Sequence, residues 1–212
     1  MLPYAFEVEE FRPPSMLDRG DAAMIAYGAS QYALATGDRE KAKELWPLIE
    51  WCLEYCKRQL NDEGVVSSQS DEMEGRIETG DANLSTSSLY YGGLDHAIML
   101  GAELNISKSQ LEDYNADLKS LAHNIETYFG ARINDLDTYK YYKEHEVLRH
   151  WICMPLVVGI NDRKEGTIRA LFDNLWEENG VLVEKDHPNP SISKTFWDRG
   201  TLYAFRGART ID

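Results

Sequence analysis

The sequence predicts an all-α fold assembled from αα-hairpin repeats. Three observations lead there. Apolar residues recur at helical spacing along most of the chain; helices that are apolar or small nearly all round alternate with helices charged on one side; and this alternation returns about every 60 residues.

The first helix is expected over Asp21 to Thr36, where Ala22, Ile25, Ala26, Ala29 and Ala33 share a face and Gly37 supplies the left-handed stop. Asp38 caps the second. Its apolar stripe is Leu45, Ile49, Cys52, Leu53, Cys56 and Leu60, with Lys41, Lys43, Glu44, Glu54, Lys57 and Arg58 elsewhere on the wheel, so it is half exposed. The third, Asn83 to Leu100, interleaves Ser85, Thr86, Ser87, Ser88, Gly92 and Gly93 with Leu84, Leu89, Tyr90, Leu94 and Ile98. A helix with so little charge is packed on several sides, and Gly101 is its expected end.

Ser107 with Gln110 forms a capping box for the fourth helix, whose stripe runs Leu111, Tyr114, Leu118, Leu121, Ile125 and Tyr128. The fifth, Glu146 to Val158, is again largely apolar and is expected to kink at Pro155. The sixth, Arg163 to Glu178, is amphipathic. A seventh begins near Trp197 and runs through Leu202, Tyr203 and Phe205.

The turn glycines Gly37, Gly101 and Gly159 are spaced by 64 and 58 residues; Gly20-Asp21-Ala22 recurs as Gly80-Asp81-Ala82, and Asp18-Arg19-Gly20 as Asp198-Arg199-Gly200, three periods on. The unit is therefore an inner helix followed by an outer one, and the chain holds about three and a half such units in a single helical domain over residues 1–212. A closed six-hairpin ring would need about 360 residues.

Composition removes several functions. With 22 Lys plus Arg against 36 Asp plus Glu, the net charge is −14, and the absence of any basic run makes nucleic acid an unsuitable partner. No apolar run reaches the roughly 18 residues of a membrane span, and the first residues lack the pattern of a signal peptide, so the chain is expected in the cytoplasm if Met1 is its native start. Cys52, Cys56 and Cys153 are expected as reduced core residues.

If the long outer-to-inner connections fall at one end of the array, that rim gathers Asp18, Asp21, Asp71, Glu72, Glu74, Glu78, Asp81, Asp135, Asp137, Glu144, His145, Glu146, Glu184, Asp186, His187 and Asp198, with Tyr139, Tyr141, Tyr142, Phe196 and Trp197 as flat faces for sugar rings. Asp21, Asp81 and Asp198 read equally well as helix caps. Caps do not account for Asp71, Glu72 and Glu74 within four positions, beside Arg76. Like charges held close raise one pKa, and a carboxyl kept protonated near neutral pH is what a glycosidase acid needs. Elsewhere, His145 and His150 are five apart and diverge on a helix, one expected buried and the other exposed, so no metal is expected. Cys153 lacks the surroundings of a nucleophile, no phosphate loop is present, and no cofactor is expected; Gly28, Gly92 and Gly93 are read as close-packing positions inside helices.

Asp71-Glu72-Met73-Glu74-Gly75 followed by Thr79-Gly80-Asp81-Ala82 resembles the catalytic loop of the six-hairpin, (α/α)6 glycosidases, in particular the Asp-Glu-x-x-Gly-x-Thr-Gly-Asp-Ala stretch of α-L-rhamnosidase-like enzymes, with two extra residues between the halves. Lys194-Thr195-Phe196-Trp197-Asp198-Arg199 is similar to the later Thr-x-Trp-Glu-Arg segment of that group, with Asp in place of Glu. The resemblance implies part of an (α/α)6 toroid acting on O-glycosyl bonds: Glu72 as general acid, Asp198 as the base that activates water, and Asp81 as a further acidic group. Asp71, Glu74, Arg76, Trp197, Tyr141, Asp18 and Arg199 would line the sugar site. Such a pair suits inversion, with carboxyls about 6.5 to 9.5 Å apart. The alternative is a non-catalytic helical-repeat module that binds a glycan or a protein on the same rim. In either case the partner is a carbohydrate or protein surface rather than nucleic acid or membrane. The exposed faces of a part-toroid would be covered by the rest of the barrel or by a second copy in a homodimer.

Overall fold

In the computed structural model, which describes residues 20–68 and 77–209, the fold is all-α with two small antiparallel strand pairs. Helix α1 (Gly20–Thr36) buries Ala22, Ala23, Ala26, Tyr27, Ser30 and Ala33 and stops at Gly37, whose φ is 64°. The Asp38 carboxylate then accepts from the backbone N–H groups of Glu40 and Lys41 to start α2 (Arg39–Arg58), which buries Trp46, Ile49, Cys52, Leu53 and Cys56. Helix α3 (Leu84–Leu104) is capped by the Asn83 side chain and is enclosed from Leu84 through Tyr90. It runs past Gly101 and ends at Asn105, which is left-handed at φ 59°. Gly101 is required for packing instead of termination: a Cβ there would lie 2.6 Å from Leu111 and 3.0 Å from Trp46. Helix α4 (Lys108–Phe129) begins at Ser107, whose hydroxyl accepts from the Gln110 N–H, the first half of a capping box, while the Gln110 side chain donates to Glu50 and the Tyr114 hydroxyl.

Inner helices α1 and α3 lie against each other, with α2 and α4 outside them. Gly92 permits this approach, since a Cβ there would come within 2.9 Å of Tyr27 and 2.8 Å of Val158. Gly28, by contrast, faces open space, so close packing does not explain it.

The third unit departs from the expected pattern. A hairpin of β1 (Gly130–Ile133) and β2 (Leu136–Tyr139) follows α4, turning at Asn134 and Asp135 with φ of 50° and 62°. Positive φ at both central residues matches the twist of the flanking strands. The long fifth helix is absent: a 3₁₀ turn (His150–Cys153) leads into a single turn, α5 (Met154–Val157), so Pro155 opens a helix where a kink was expected. The residues just before it are extended because Leu148 and Arg149 pair with Lys185 and Glu184. The sixth helix is likewise shortened to α6 (Lys164–Arg169) and a π turn (Ala170–Asn174), because Trp176 and Glu177 of β3 (Trp176–Glu177) fold back on β4 (Gly180–Val181).

After the short α7 (Pro190–Ser193), α8 (Asp198–Arg209) buries Gly200, Ala204 and Gly207 against the 3₁₀ turn and α5, and leaves Leu202 and Phe205 exposed. Arg206 at its far end donates to the Tyr27 hydroxyl at 2.7 Å and to the Gln31 side-chain oxygen at 3.1 Å. All three cysteines are buried and unbridged, and burial raises the Cys153 thiol, which removes nucleophilic character. Among the described residues no helix is long and apolar enough to cross a membrane.

Candidate functional site

The long connections meet at one end of the molecule, and their backbones are stitched together. The Ser68 N–H bonds the Asp81 carbonyl, Leu84 bonds Tyr141, Lys185 bonds Leu148, His150 bonds Val183, and Val183 bonds Thr195. These bonds bring the segments 77–83, 139–149, 182–187 and 194–199 onto one rim. The opposite end carries the short turns at Gly37-Asp38 and Asn105.

Beneath the rim lies a buried charge cluster. Arg149 (1% exposed) donates from Nε to Glu184 Oε2 at 2.6 Å and from Nη1 to the Glu78 carbonyl at 2.7 Å. Its guanidinium lies 4.7 Å from the Tyr141 ring centroid and 5.8 Å from that of Tyr142. Glu184 also meets His145 Nε2 at 2.9 Å. An arginine inside Leu148-Arg149-His150-Trp151-Ile152 and a glutamate after Val181-Leu182-Val183 were the available signals of this pair, because a charge in an apolar run needs a buried counter-ion. The rim position of Glu184 and His145 was legible in the sequence; their pairing with Arg149 was not.

Burial alone would push the Glu184 carboxyl up, but the hydrogen bond from His145 and the charge of Arg149 outweigh it and hold the group below its usual range. Burial, helped by the Arg149 charge, lowers His145 despite its bond to Glu184. Both groups therefore bind protons less readily folded than unfolded. Stability is complete above the unfolded values and falls with acid, first below about pH 6.5 through His145 and then below about pH 4.3 through Glu184. The midpoint of thermal unfolding is expected to drop between pH 7 and pH 5, and His145→Gln, which keeps a donor for Glu184, to flatten that limb. Melts of the two proteins across pH would show it; parallel curves would remove His145 as the origin.

The sequence-predicted residues divide. Tyr141 is fully buried, its hydroxyl on Ser85 Oγ at 3.1 Å, so it supports the core and offers no face to a sugar; Tyr139 is buried too. Both His145 and His150 are buried, contrary to the helical divergence expected of them, because the segment between them is not helical: it bends at Val147 and is extended at Arg149. Asp81 is exposed and is not a cap, since Asn83 caps α3. Asp198 is exposed in the first turn of α8, and Asp21 in that of α1. Arg199, next to Asp198, lies 5.5 Å from the buried Trp151 ring and 6.0 Å from the half-buried Trp197, which alone of the two aromatic rings has an exposed part. Asp18, Asp71, Glu72, Glu74 and Arg76 lie outside the described residues. Among the described residues no three His, Cys, Asp or Glu side chains converge on a metal-sized position.

Arg149 and Glu184 lie between the segments that lead into the two motif halves. The Arg149 bond to Glu78 holds the strand of chain that enters Thr79-Gly80-Asp81, and Gly80, at φ 64°, is pressed against Tyr142 where a Cβ would stand 2.8 Å from Tyr142 Cβ. Glu184 follows Val183, which bonds Thr195, and Gly200 sits against His150 with only 2.8 Å for a Cβ. No protein-family model and no curated protein sequence matches the chain.

Proposed function

We propose that this chain is a glycoside hydrolase, or a large part of one, which cleaves a glycosidic bond with paired carboxylates on the rim of an αα-hairpin array. The observation that supports the reading most is that the segments leading into Thr79-Gly80-Asp81-Ala82 and Trp197-Asp198-Arg199 are tied to one buried cluster, the first by the bond from Arg149 to the Glu78 carbonyl and the second by Val183, the neighbour of Glu184, bonding the Thr195 carbonyl. Asp198 follows the half-buried Trp197 and precedes Arg199, whose guanidinium lies 6.0 Å from the Trp197 ring, so the Trp197 face is where a sugar ring could stack with a water activated beside it. Glu72 is the proposed acid and Asp81 the accessory carboxylate; the (α/α)6 ancestry is part of the same proposal.

A non-catalytic glycan-binding module is the second reading, favoured by the exposure of both Asp81 and Asp198. A general acid works best in a water-excluded pocket, whereas a binding ledge does not need one. Release of nitrophenol from a panel of aryl glycosides, with Glu72→Gln in parallel, separates them. Turnover is expected in the wild type and a loss of at least about a hundredfold in the variant, the scale of general acid catalysis. Equal turnover would remove Glu72. A folded wild type that binds glycans and hydrolyses none would establish the second reading.

A further inference from the structure

Helices α2 and α4 lie outside α1 and α3, whereas the outward stripe of α8 has no such cover among the described residues: Leu202 is 67% and Phe205 50% exposed. The Phe205 ring lies 5.7 Å from Phe172 and 5.6 Å from Trp176, itself 41% exposed, so the apolar surface continues onto the β3–β4 hairpin. Contiguous apolar surface of this kind is where something docks. Charge narrows what that is. In a chain with 36 acidic and 22 basic residues, α8 carries Arg199, Arg206 and Arg209 against one acid, Asp198, which stands at its rim end. All three arginines are exposed, and none has a carboxylate partner among the described residues; Arg206 is held by the neutral Tyr27 and Gln31. Arg206 and Arg209 follow Leu202 and Phe205 by four residues each, which puts cation and apolar side chain on one side of the helix.

A second copy presenting the same stripe would set arginine against arginine. The occupant must instead bring apolar side chains and a carboxylate together. Outside the described residues, 69–76 has three carboxylates and Met73 as its one large apolar side chain, 12–19 carries two arginines against Asp18, and 210–212 is too short. Segment 4–11, Tyr4-Ala5-Phe6-Glu7-Val8-Glu9-Glu10-Phe11, has both features. In an extended chain Tyr4, Phe6, Val8 and Glu10 share one side, three apolar groups followed by a carboxylate, while Glu7 and Glu9 turn the other way. Reach is sufficient. Helices α1 and α8 both start at the rim end, and the nine residues from Phe11 to Gly20 span up to about 30 Å, against about 18 Å for the whole of α8.

We infer that the outward stripe of α8 is a docking surface for segment 4–11 of the same chain, with Tyr4, Phe6 and Val8 over Leu202, Phe205 and Trp176, and Glu10 on Arg209. The docked segment gives α8 the cover that α2 and α4 give the earlier inner helices.

Nuclear magnetic resonance of the full chain tests it. The backbone order parameters of 4–11 are expected near about 0.85, the value of a rigid chain, with nuclear Overhauser contacts from Phe6 to Phe205 or Trp176. Arg209→Glu, at an exposed position, should lower the ratio of docked to free segment by about tenfold, the scale of one charge-assisted hydrogen bond, and adding Glu10→Lys to it should restore the ratio. Phe6→Ser, which alters no described helix, should free the segment and raise the hydroxyl-radical oxidation of Trp176 and Phe205. Order parameters below about 0.6 in the wild type would overturn the docking. So would a segment that is ordered but unmoved by Arg209→Glu and Phe6→Ser. Order that rises with protein concentration would place the segment on a neighbouring copy and overturn docking within one chain.

Discussion

Arg149→Met is expected to lower the unfolding free energy by about 3 to 5 kcal/mol, the cost of leaving a buried carboxylate without its cation. For a chain of this length that corresponds to a fall of roughly 10 °C in the melting temperature. The loss does not measure the worth of the pair. Taking Arg149 and Glu184 out of water costs several kcal/mol per ion, and their attraction at 2.6 Å, the bond to the Glu78 carbonyl and the Tyr141 ring offset that cost. The double variant Arg149→Met with Glu184→Gln should therefore recover much of the loss, since no charge is stranded. Chemical denaturation of the three proteins would measure it. A single-variant loss below about 1 kcal/mol would mean that Glu184 finds water when Arg149 is gone.

Gly166→Ala is the second large effect, and its sign is opposite to the one helix propensity gives. Alanine within an exposed helix improves on glycine by about 1 kcal/mol. At Gly166, however, a Cβ would stand 2.0 Å from the Asp137 carbonyl oxygen and 2.7 Å from its carbon, which are backbone atoms of β2 and cannot swing aside. The same contact between α6 and β2 includes Thr138 Oγ1 and Thr167 Oγ1 at 2.9 Å, fully buried. Forcing the two apart should cost about 2 to 3 kcal/mol. Gly28→Ala is the matched control, because nothing lies within 4 Å of the Cβ it would add, and it should stabilise by about 0.5 to 1 kcal/mol. Equal effects at the two positions would show that α6 is free to move off the hairpin.

The first four helices were legible because each has its own period and its own cap, and Asp38, Ser107 and Gly37 act where the pattern places them. Gly101 misled because glycine serves two needs: the same residue that ends a helix also lets Trp46 and Leu111 come close. The third unit was illegible for a different reason. Its apolar run from Trp151 to Val158 suits a helix or a buried irregular segment equally, and the choice was made by partners far along the chain, Val183 to Lys185, which pair with Leu148 and Arg149 and take the N–H of His150 where the 3₁₀ turn starts. Asn134-Asp135 carried the signature of a tight hairpin, although the strands on either side are only four residues long. At the candidate site, the position of the rim followed from loop lengths, whereas the burial of Tyr139 and Tyr141 followed from tertiary contacts that composition does not encode.

The bonds from Arg206 to Tyr27 and Gln31 have a topological meaning. Helix α1 touches α3, α3 touches α5, α5 touches α8, and through Arg206 the last of these returns to the first. The last helix is thus linked to the first, across 179 residues of sequence, by one side chain. Loss of the Arg206 side chain would remove the bonds that tie the two ends of the described array together.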